Sequence, residues 1–245
     1  MSELIRNLIT KTAESLGYYI GILPPTAETA ETHACMLCEK ENVNCLIDVG
    51  SHHGEYALRM RKAGYKGRIV SYEPVTENYE VLKEKSADDN NWFVHHAGMA
   101  DISGTMTMNV TVGTEAASLL TPSEYGKRTF GNKLDIKKTE EVQVKTISEV
   151  YDACVADLNN PKVYLKVDAQ GYDMKVFEGA KEKLPLLAGL QTEMSVQQIY
   201  DDSPDYRTCI EILTNQGFSL SGIFPVRVDR SMKLIEMDCI MVRDA

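Results

Sequence analysis

The amino-acid sequence predicts an α/β domain with a mostly parallel, seven-stranded sheet, helices on both of its faces and an antiparallel hairpin at the C-terminus. Three observations carry this prediction. Short apolar runs alternate with stretches of helical periodicity, as in repeated βα units. Several runs end at glycine, proline or an acid, which is typical of buried parallel strands beside a ligand site. The last two runs, residues 218–226 and 235–242, are joined by a segment too short for a crossover helix, so they must be antiparallel.

The composition is that of a globular protein. The 245 residues suffice for one large domain, with 43% hydrophobic and 25% charged residues. A net charge of −10 and a pI near 5.1 argue against a nucleic-acid partner. No signal peptide precedes the domain and no apolar run approaches the ~18 residues that span a bilayer, so we expect a cytoplasmic location without stable membrane insertion. The six cysteines show no disulfide-framework spacing.

Residues 1–42 are expected to form an N-terminal helical extension. Apolar residues recur at helical spacing over residues 2–16, and Gly17 ends this pattern. After Pro24-Pro25, Thr26 is predicted to cap a second helix that continues to about Lys40. A homodimer through these helices is compatible with the sequence.

Residues 43–245 are expected to form the main domain. Its predicted parallel strands are residues 45–50, 68–74, 92–97, 163–168 and 190–194, and its predicted helices are residues 56–63, 76–86, 174–184 and 204–216, the last capped by Asp202 or Ser203. Residues 101–147 depart from this alternation of strands and helices, because their apolar residues recur with period two. They predict antiparallel ribbons around a polar loop, and this β-rich insertion is a candidate lid over an acceptor.

The first strand ends in the motif Asp48-x-Gly50-x-x-x-Gly54. Glycines at these positions allow a tight turn and a close approach of the backbone to a ligand. The dinucleotide fingerprint Gly-x-Gly-x-x-Gly is absent, because His52 stands at its second glycine. An acid two residues before the first glycine favours a cationic group, such as an ammonium, over a phosphate.

The second strand ends at Glu73, where an acid can accept hydrogen bonds from both ribose hydroxyls. Together, the Asp48 and Glu73 motifs describe a ligand that has an amino-acid part and a nucleoside part. S-adenosylmethionine is such a ligand. The alternative is that Asp48 caps the following helix and that Glu73 is incidental.

Three segments resemble the signatures of FkbM-type methyltransferases: Cys45-Leu-Ile-Asp-Val-Gly-Ser-His-His-Gly-Glu-Tyr, Ser71-Tyr-Glu-Pro, and the segment Tyr164-Leu-Lys-Val-Asp-Ala-Gln-Gly-Tyr-Asp-Met-Lys-Val-Phe-Glu-Gly-Ala. The likeness extends from about residue 43 to residue 243. It implies a Rossmann-like class I methyltransferase fold and O-methylation of hydroxyls on sugars, polysaccharides or natural products. The family usually has Glu where this chain has Gln170, and Ala-Asn where it has Ser51-His52.

The predicted cofactor-binding residues follow the first two motifs and the end of the third strand. They are Asp48, Gly50, Ser51, Gly54, Tyr56, Glu73, Pro74 and His96. Neighbouring strand residues face opposite ways, so either His95 or His96 must point into a core layer. His96 is therefore either close to the adenine or a neutral, hydrogen-bonded core histidine.

The predicted catalytic residues follow the fourth and fifth strands. An alcohol acceptor is a poor nucleophile until its proton can leave, so Asp168 is the first candidate for a base and Glu193 the second. Asp168 alternatively caps the following turn. These two acids are also the ligands available for Mg²⁺, which is not favoured because Gln170 removes a third charge.

Ser118 in the insertion and Tyr172 after the fourth strand are the predicted contacts with the acceptor, a small molecule or a glycan. Two other functions remain open at this point. One is a nicotinamide-dependent oxidoreductase on a Rossmann fold, against which the missing fingerprint argues. The other is a catalytically inactive, Rossmann-like binding protein.

Overall fold

The computed structural model describes residues 29–244. In chain order its strands are β1 (Cys45–Val49), β2 (Arg68–Tyr72), β3 (Trp92–His95), β4 (Gly98–Met99), β5 (Gly104–Thr111), β6 (Ile136–Lys145), β7 (Val163–Val167), β8 (Leu187–Ser195), β9 (Phe218–Val228) and β10 (Leu234–Arg243). Its α-helices are α1 (Ala30–Lys40), α2 (Glu55–Ala63), α3 (Thr76–Ser86), α4 (Glu124–Phe130), α5 (Ile147–Cys154), α6 (Asp173–Gly179) and α7 (Tyr206–Asn215).

Seven strands form the main sheet in the order β3-β2-β1-β7-β8-β10-β9. Strand β10 pairs antiparallel with both β8 and β9, while the pairs from β3 to β8 are all parallel. The predicted parallel sheet with a C-terminal antiparallel hairpin is confirmed. The chain runs outward from β1 to β3 and then returns to β7 on the other side of β1. The carboxyl ends of β1 and β7 therefore border the topological switch point, where open α/β sheets bind their ligands.

Alternate residues of the central strands enter two separate cores. Leu46 and Tyr164 pack with α1, α2 and α3 on one face of the sheet. Ile47 and Leu165 pack with α5, α6 and α7 on the other face. Every residue of β1 and β7 is buried, which is why these strands read as nearly continuous apolar runs in the sequence.

Helix α1 begins at a capping box in which Thr29 and Thr32 satisfy each other's backbone N–H groups. The predicted cap at Thr26 and the predicted helix over residues 2–16 lie outside the described residues. Helix α1 packs in the same core as α2 and the sheet. The division of the chain at residue 42 stays a prediction.

The insertion forms a second sheet of order β4-β6-β5, in which β5 and β6 are antiparallel. The predicted ribbons are thus confirmed, and helix α4 lies between them in the chain. The third strand of the main sheet is shorter than predicted, because the chain leaves that sheet after His95 and joins the second sheet at Gly98.

Two helix boundaries also differ from the predictions. Helix α6 ends at Gly179 instead of extending to residue 184. Helix α7 is capped by Asp205, whose carboxylate accepts from the backbone N–H groups of Arg207 and Thr208. The predicted cap Ser203 instead donates its hydroxyl to the carbonyl of Tyr200. Among residues 29–244, no helix combines the length and the apolar character needed to cross a bilayer.

Candidate active site

A cavity of about 420 Å³ lies at the carboxyl ends of β1, β2 and β7, between the main sheet and the insertion. Seven of the predicted site residues line it: Gly50, Ser51, Tyr56, Glu73, Pro74, Asp168 and Tyr172. Five others do not: Asp48, Gly54, His96, Ser118 and Glu193. The insertion contributes part of the wall, including Met108, Thr114 and Leu119.

The glycine motif brings two strand ends into contact. Gly50 has a φ of +71°, and a Cβ on it would lie 1.9 Å from the backbone oxygen of Asp168. Gly54 has a φ of +80°, and its Cβ would lie 2.6 Å from the Trp92 ring. Gly50 is therefore needed for the approach of β1 to β7. Gly54 packs against Trp92 and does not line the cavity, and its predicted contact with the cofactor stays a prediction.

Asp48 lies beneath the cavity. It is fully buried, accepts a hydrogen bond from Ser71 Oγ at 3.1 Å, and has its Oδ1 3.6 Å from Lys166 Nζ. The alternation of β1 turns Asp48 toward the core that contains Leu46, so its charge faces Lys166. The structure pairs Asp48 with Lys166, and its predicted role in cofactor binding stays a prediction.

Lys166 is itself buried and lines the cavity floor. Its Nζ lies 3.3 Å from Asp168 Oδ2 and 5.2 Å from the centre of the Tyr56 ring. Burial acts to lower the pKa of Lys166, but the carboxylates of Asp168 and Asp48 outweigh it and raise the pKa above its ordinary value. A permanent ammonium thus joins the two acids below the ligand site.

Glu73 lines the cavity and is 4% exposed. One carboxylate oxygen accepts from the backbone N–H of His52 at 2.8 Å, and the other accepts from that of Val75 at 2.9 Å. Burial raises the pKa of Glu73 to about 7, although these hydrogen bonds act in the opposite direction. The Asn78 amide also donates to Oε1 at 3.4 Å, and because each ionised oxygen can accept two hydrogen bonds, one acceptor position on Oε2 remains for a ligand donor.

Gln170 joins the two predicted catalytic acids. Its Nε2 donates to Asp168 Oδ1 at 2.7 Å and to Glu193 Oε2 at 3.3 Å, while its Oε1 accepts from the Tyr200 hydroxyl at 2.8 Å. Asp168 lines the cavity with its side chain 30% exposed. Glu193 contacts Gln170 and does not line the cavity, and its role as the second candidate base stays a prediction.

Burial, followed by the charge of Asp168, raises the pKa of Glu193 well above its ordinary value. The Gln170 amide directs N–H donors at both carboxylates, which is the opposite of what a cation site between Asp168 and Glu193 requires. These two acids are therefore a poor pair of ligands for Mg²⁺ in this arrangement.

Tyr172 and Ser118 were predicted to contact the acceptor. Tyr172 lines the cavity and donates its hydroxyl to Asp101 Oδ1 at 3.0 Å. Ser118 is 2% exposed and donates to the backbone carbonyl of Gln170 at 2.8 Å. Ser118 therefore links the insertion to the loop after β7, and its predicted substrate contact stays a prediction.

His96 lies outside the cavity, stacked on Tyr79 with ring centres 4.6 Å apart. The strand ends one residue earlier, so the side-chain alternation assumed for residues 92–97 does not extend to it. His95 likewise stacks on Tyr72. Gly98 and Met99 line the cavity in this region, and the predicted place of His96 beside the adenine stays a prediction.

A family comparison agrees with this geometry. The model of the methyltransferase FkbM domain matches residues 48–220. The chain belongs to the FkbM methyltransferase domain family. The predicted family is confirmed, the nicotinamide-dependent oxidoreductase is set aside, and S-adenosylmethionine is the cofactor that the family assigns.

Among curated proteins, the methyltransferase sdnD of Sordaria araneosa is 24% identical over 157 residues, which cover 56% of this chain and 61% of that protein. Among solved structures, magnesium protoporphyrin IX methyltransferase of Synechocystis PCC 6803 with bound SAM has a TM-score of 0.48 at 10% identity, covering 98% of this chain and 82% of that one. A putative O-methyltransferase of Klebsiella pneumoniae has a TM-score of 0.49 at 8% identity, covering 100% of this chain and 92% of that one.

The cavity of this FkbM domain fits its cofactor in two respects. Gly50 lines the cavity and lets the end of β1 approach the carbonyl of Asp168 at the switch point, and Glu73 presents a carboxylate to donors such as ribose hydroxyls. Sequence reasoning missed two cavity residues that support these groups. Asn78 is buried and donates at 3.4 Å both to Glu73 Oε1 and to the carbonyl of Thr114. Lys166 lies in the third segment that resembles the family. A single lysine within an apolar strand is the sequence feature that could have indicated a buried charge at this site.

Proposed function

We propose that the chain is an S-adenosylmethionine-dependent O-methyltransferase that acts on a hydroxyl of a sugar, polysaccharide or natural product. The observation that carries this proposal is the position of Asp168. It is a partly exposed carboxylate on the cavity wall, in contact with the glycine loop through its own backbone. Family membership supports the transfer of a methyl group, and Asp168 supports oxygen as the acceptor atom.

The cofactor, when bound, supplies a methyl group on a sulfonium that an oxygen nucleophile can displace in line. The S–CH₃ bond breaks as the O–CH₃ bond forms, and the hydroxyl proton must leave the acceptor. We assign that proton to Asp168. Its two oxygens contact Gln170 Nε2 at 2.7 Å and Lys166 Nζ at 3.3 Å, and these contacts orient the carboxylate on the cavity wall.

The insertion is proposed as the acceptor side of the cavity. Ala117 and Leu119 line the cavity, and the Ser118 hydroxyl fixes this segment to the carbonyl of Gln170. Tyr172 adds an aromatic wall next to Asp168. A wall with apolar, aromatic and acidic side chains suits a hydroxylated organic molecule or the end of a glycan. The net charge of −10 argues against a nucleic acid.

The first experiment is a thermal-shift panel with S-adenosylhomocysteine and NAD. The proposal requires that S-adenosylhomocysteine raises the melting temperature and that NAD does not. The second experiment supplies methyl-labelled S-adenosylmethionine and a glycan and metabolite extract to wild type and to Asp168→Asn. Mass spectrometry should find a labelled methyl ether only with the wild type.

Two results would redirect the proposal. Labelled product on nitrogen or carbon would overturn O-methylation while leaving the methyltransferase intact. Absence of S-adenosylhomocysteine binding would favour the catalytically inactive binding protein.

A further inference from the structure

Three side chains at the rim of the cavity bring metal-ligating atoms together: His52, His53 and Glu55. The Nδ1 of His52 lies 3.3 Å from one carboxylate oxygen of Glu55, and the Nδ1 of His53 lies 3.8 Å from the other. Their ligand atoms all lie within 4.8 Å of one another. Within residues 29–244, no other group of three histidine, cysteine or acidic side chains has this spacing.

These separations suit a small divalent ion. Imidazole nitrogens and carboxylate oxygens bind zinc at about 2.0–2.2 Å, so neighbouring ligand atoms of a tetrahedral site are about 3.4 Å apart. The 3.3 Å from His52 Nδ1 to one Glu55 oxygen is close to that value, whereas the 3.8 Å from His53 Nδ1 is measured to the other oxygen, so Glu55 must turn one oxygen toward both histidines. The imidazole rings are stacked with centres 3.7 Å apart, so they must rotate for both lone pairs to face one ion. Both side chains are partly exposed, at 24% and 29%.

The loop backbone creates this arrangement. His52 has a φ of +48°, in the left-handed region, and its ring stacks on that of His53. The other adjacent histidine pair, His95-His96, follows a strand, and its two rings stack on different tyrosines. The two histidine rings therefore lie against each other in the glycine loop, whereas those at the end of β3 lie against different tyrosines.

One cation already contacts the group, since Lys85 Nζ donates to Glu55 Oε1 at 3.1 Å. The Lys85 side chain is 37% exposed on a flexible stem, so its ammonium can return to water when an ion binds Glu55. Glu115, whose negative charge also acts on His52, adds attraction for a divalent ion.

We propose that His52, His53 and Glu55 bind a divalent transition-metal ion of the zinc class at the rim of the cofactor cavity, with a fourth position open to solvent. Two imidazoles and one carboxylate favour such an ion over Mg²⁺ or Ca²⁺, which take oxygen ligands. The site is separate from Asp168 and does not depend on the proposed methyl transfer. It connects to the cavity through His52, whose Nε2 lies 3.1 Å from Thr114 Oγ1.

The test is a titration of the full chain with Co²⁺, followed by its visible absorption, and with Zn²⁺ by calorimetry. We expect one ion per chain for the wild type. The variants His53→Asn and Glu55→Gln should each lose affinity by about tenfold or more, because even the loss of a residue that only orients a ligand costs about that much. The double variant His95→Asn/His96→Asn is the matched control and should bind like the wild type.

Cysteine thiols are the competing ligands in this titration. Burial raises the pKa of Cys45, Cys209 and Cys239 to about 12, which keeps these thiols protonated. Cys35 is the least buried of the six, so Cys35→Ser is the second control. Melting temperatures show whether each variant is folded. The proposal is overturned if both His53→Asn and Glu55→Gln bind like the wild type, if Cys35→Ser removes the signal, or if the wild type binds neither ion.

Discussion

Gly50 and Asp168 touch across the switch point of the sheet: a Cβ on Gly50 would lie 1.9 Å from the backbone oxygen of Asp168. The first glycine of the loop thus sets the position of the strand end that carries the candidate base. A change at either residue is expected to disturb both the cofactor loop and Asp168.

The first prediction compares two left-handed glycines. Gly64 has a φ of +110° and open space around it, so Gly64→Ala should cost only its backbone strain, about 1–2 kcal/mol of unfolding free energy. Gly50→Ala adds a collision with a backbone atom, so it should be less stable than Gly64→Ala and should not bind S-adenosylhomocysteine. Urea unfolding and calorimetry measure both quantities. Normal binding by Gly50→Ala would contradict the close approach.

The second prediction concerns pH and Glu73. Its pKa of about 7 means that the carboxyl is mostly protonated at pH 6 and mostly ionised at pH 8. If the ionised form accepts hydrogen bonds from ribose hydroxyls, S-adenosylhomocysteine should bind about tenfold more tightly at pH 8 than at pH 6. Calorimetry over this range tests the effect. The affinity of Glu73→Gln for S-adenosylhomocysteine should change less with pH. If it changes as much as that of the wild type, the titrating group is another residue.

The third prediction concerns stability and Glu193. Its raised pKa means that the folded protein holds this proton more tightly than the unfolded chain does, so Glu193 costs stability as pH rises above its ordinary pKa. Glu193→Gln removes that cost and still accepts from Gln170. The melting temperature of Glu193→Gln minus that of the wild type should therefore grow by a few degrees between pH 5 and pH 8.5. A difference that does not change with pH would refute this account.

The fourth prediction concerns the buried pair of Asp48 and Lys166, whose side chains are 0% and 7% exposed. Asp48→Asn leaves the buried Lys166 ammonium with Asp168 as its remaining carboxylate contact at 3.3 Å, so the free energy of unfolding should fall by about 3 kcal/mol or less. Adding Lys166→Met removes this only partly neutralised ammonium. The double variant should recover part of the loss, and a urea double-mutant cycle measures the coupling. Additive losses would show that the two charges act independently.

Much of the fold was predictable because its signals are local. Continuous apolar runs marked β1 and β7, and period-two alternation marked β5 and β6. The predicted element boundaries that were wrong depend on contacts between residues distant in sequence. His95 ends its strand because the chain joins another sheet at Gly98, and no feature of residues 92–97 alone shows this.

For the candidate site, the sequence by itself determined the family, the cofactor class and the edge of the sheet where the cavity lies. Glycines and acids at strand ends carry that information, because parallel strands end at one edge. Only the tertiary structure decided which side chains face the cavity. Asp48 turns beneath it toward Lys166, and Glu193 lies behind Gln170, because side-chain direction depends on the pleat and on packing between strands that are distant in sequence.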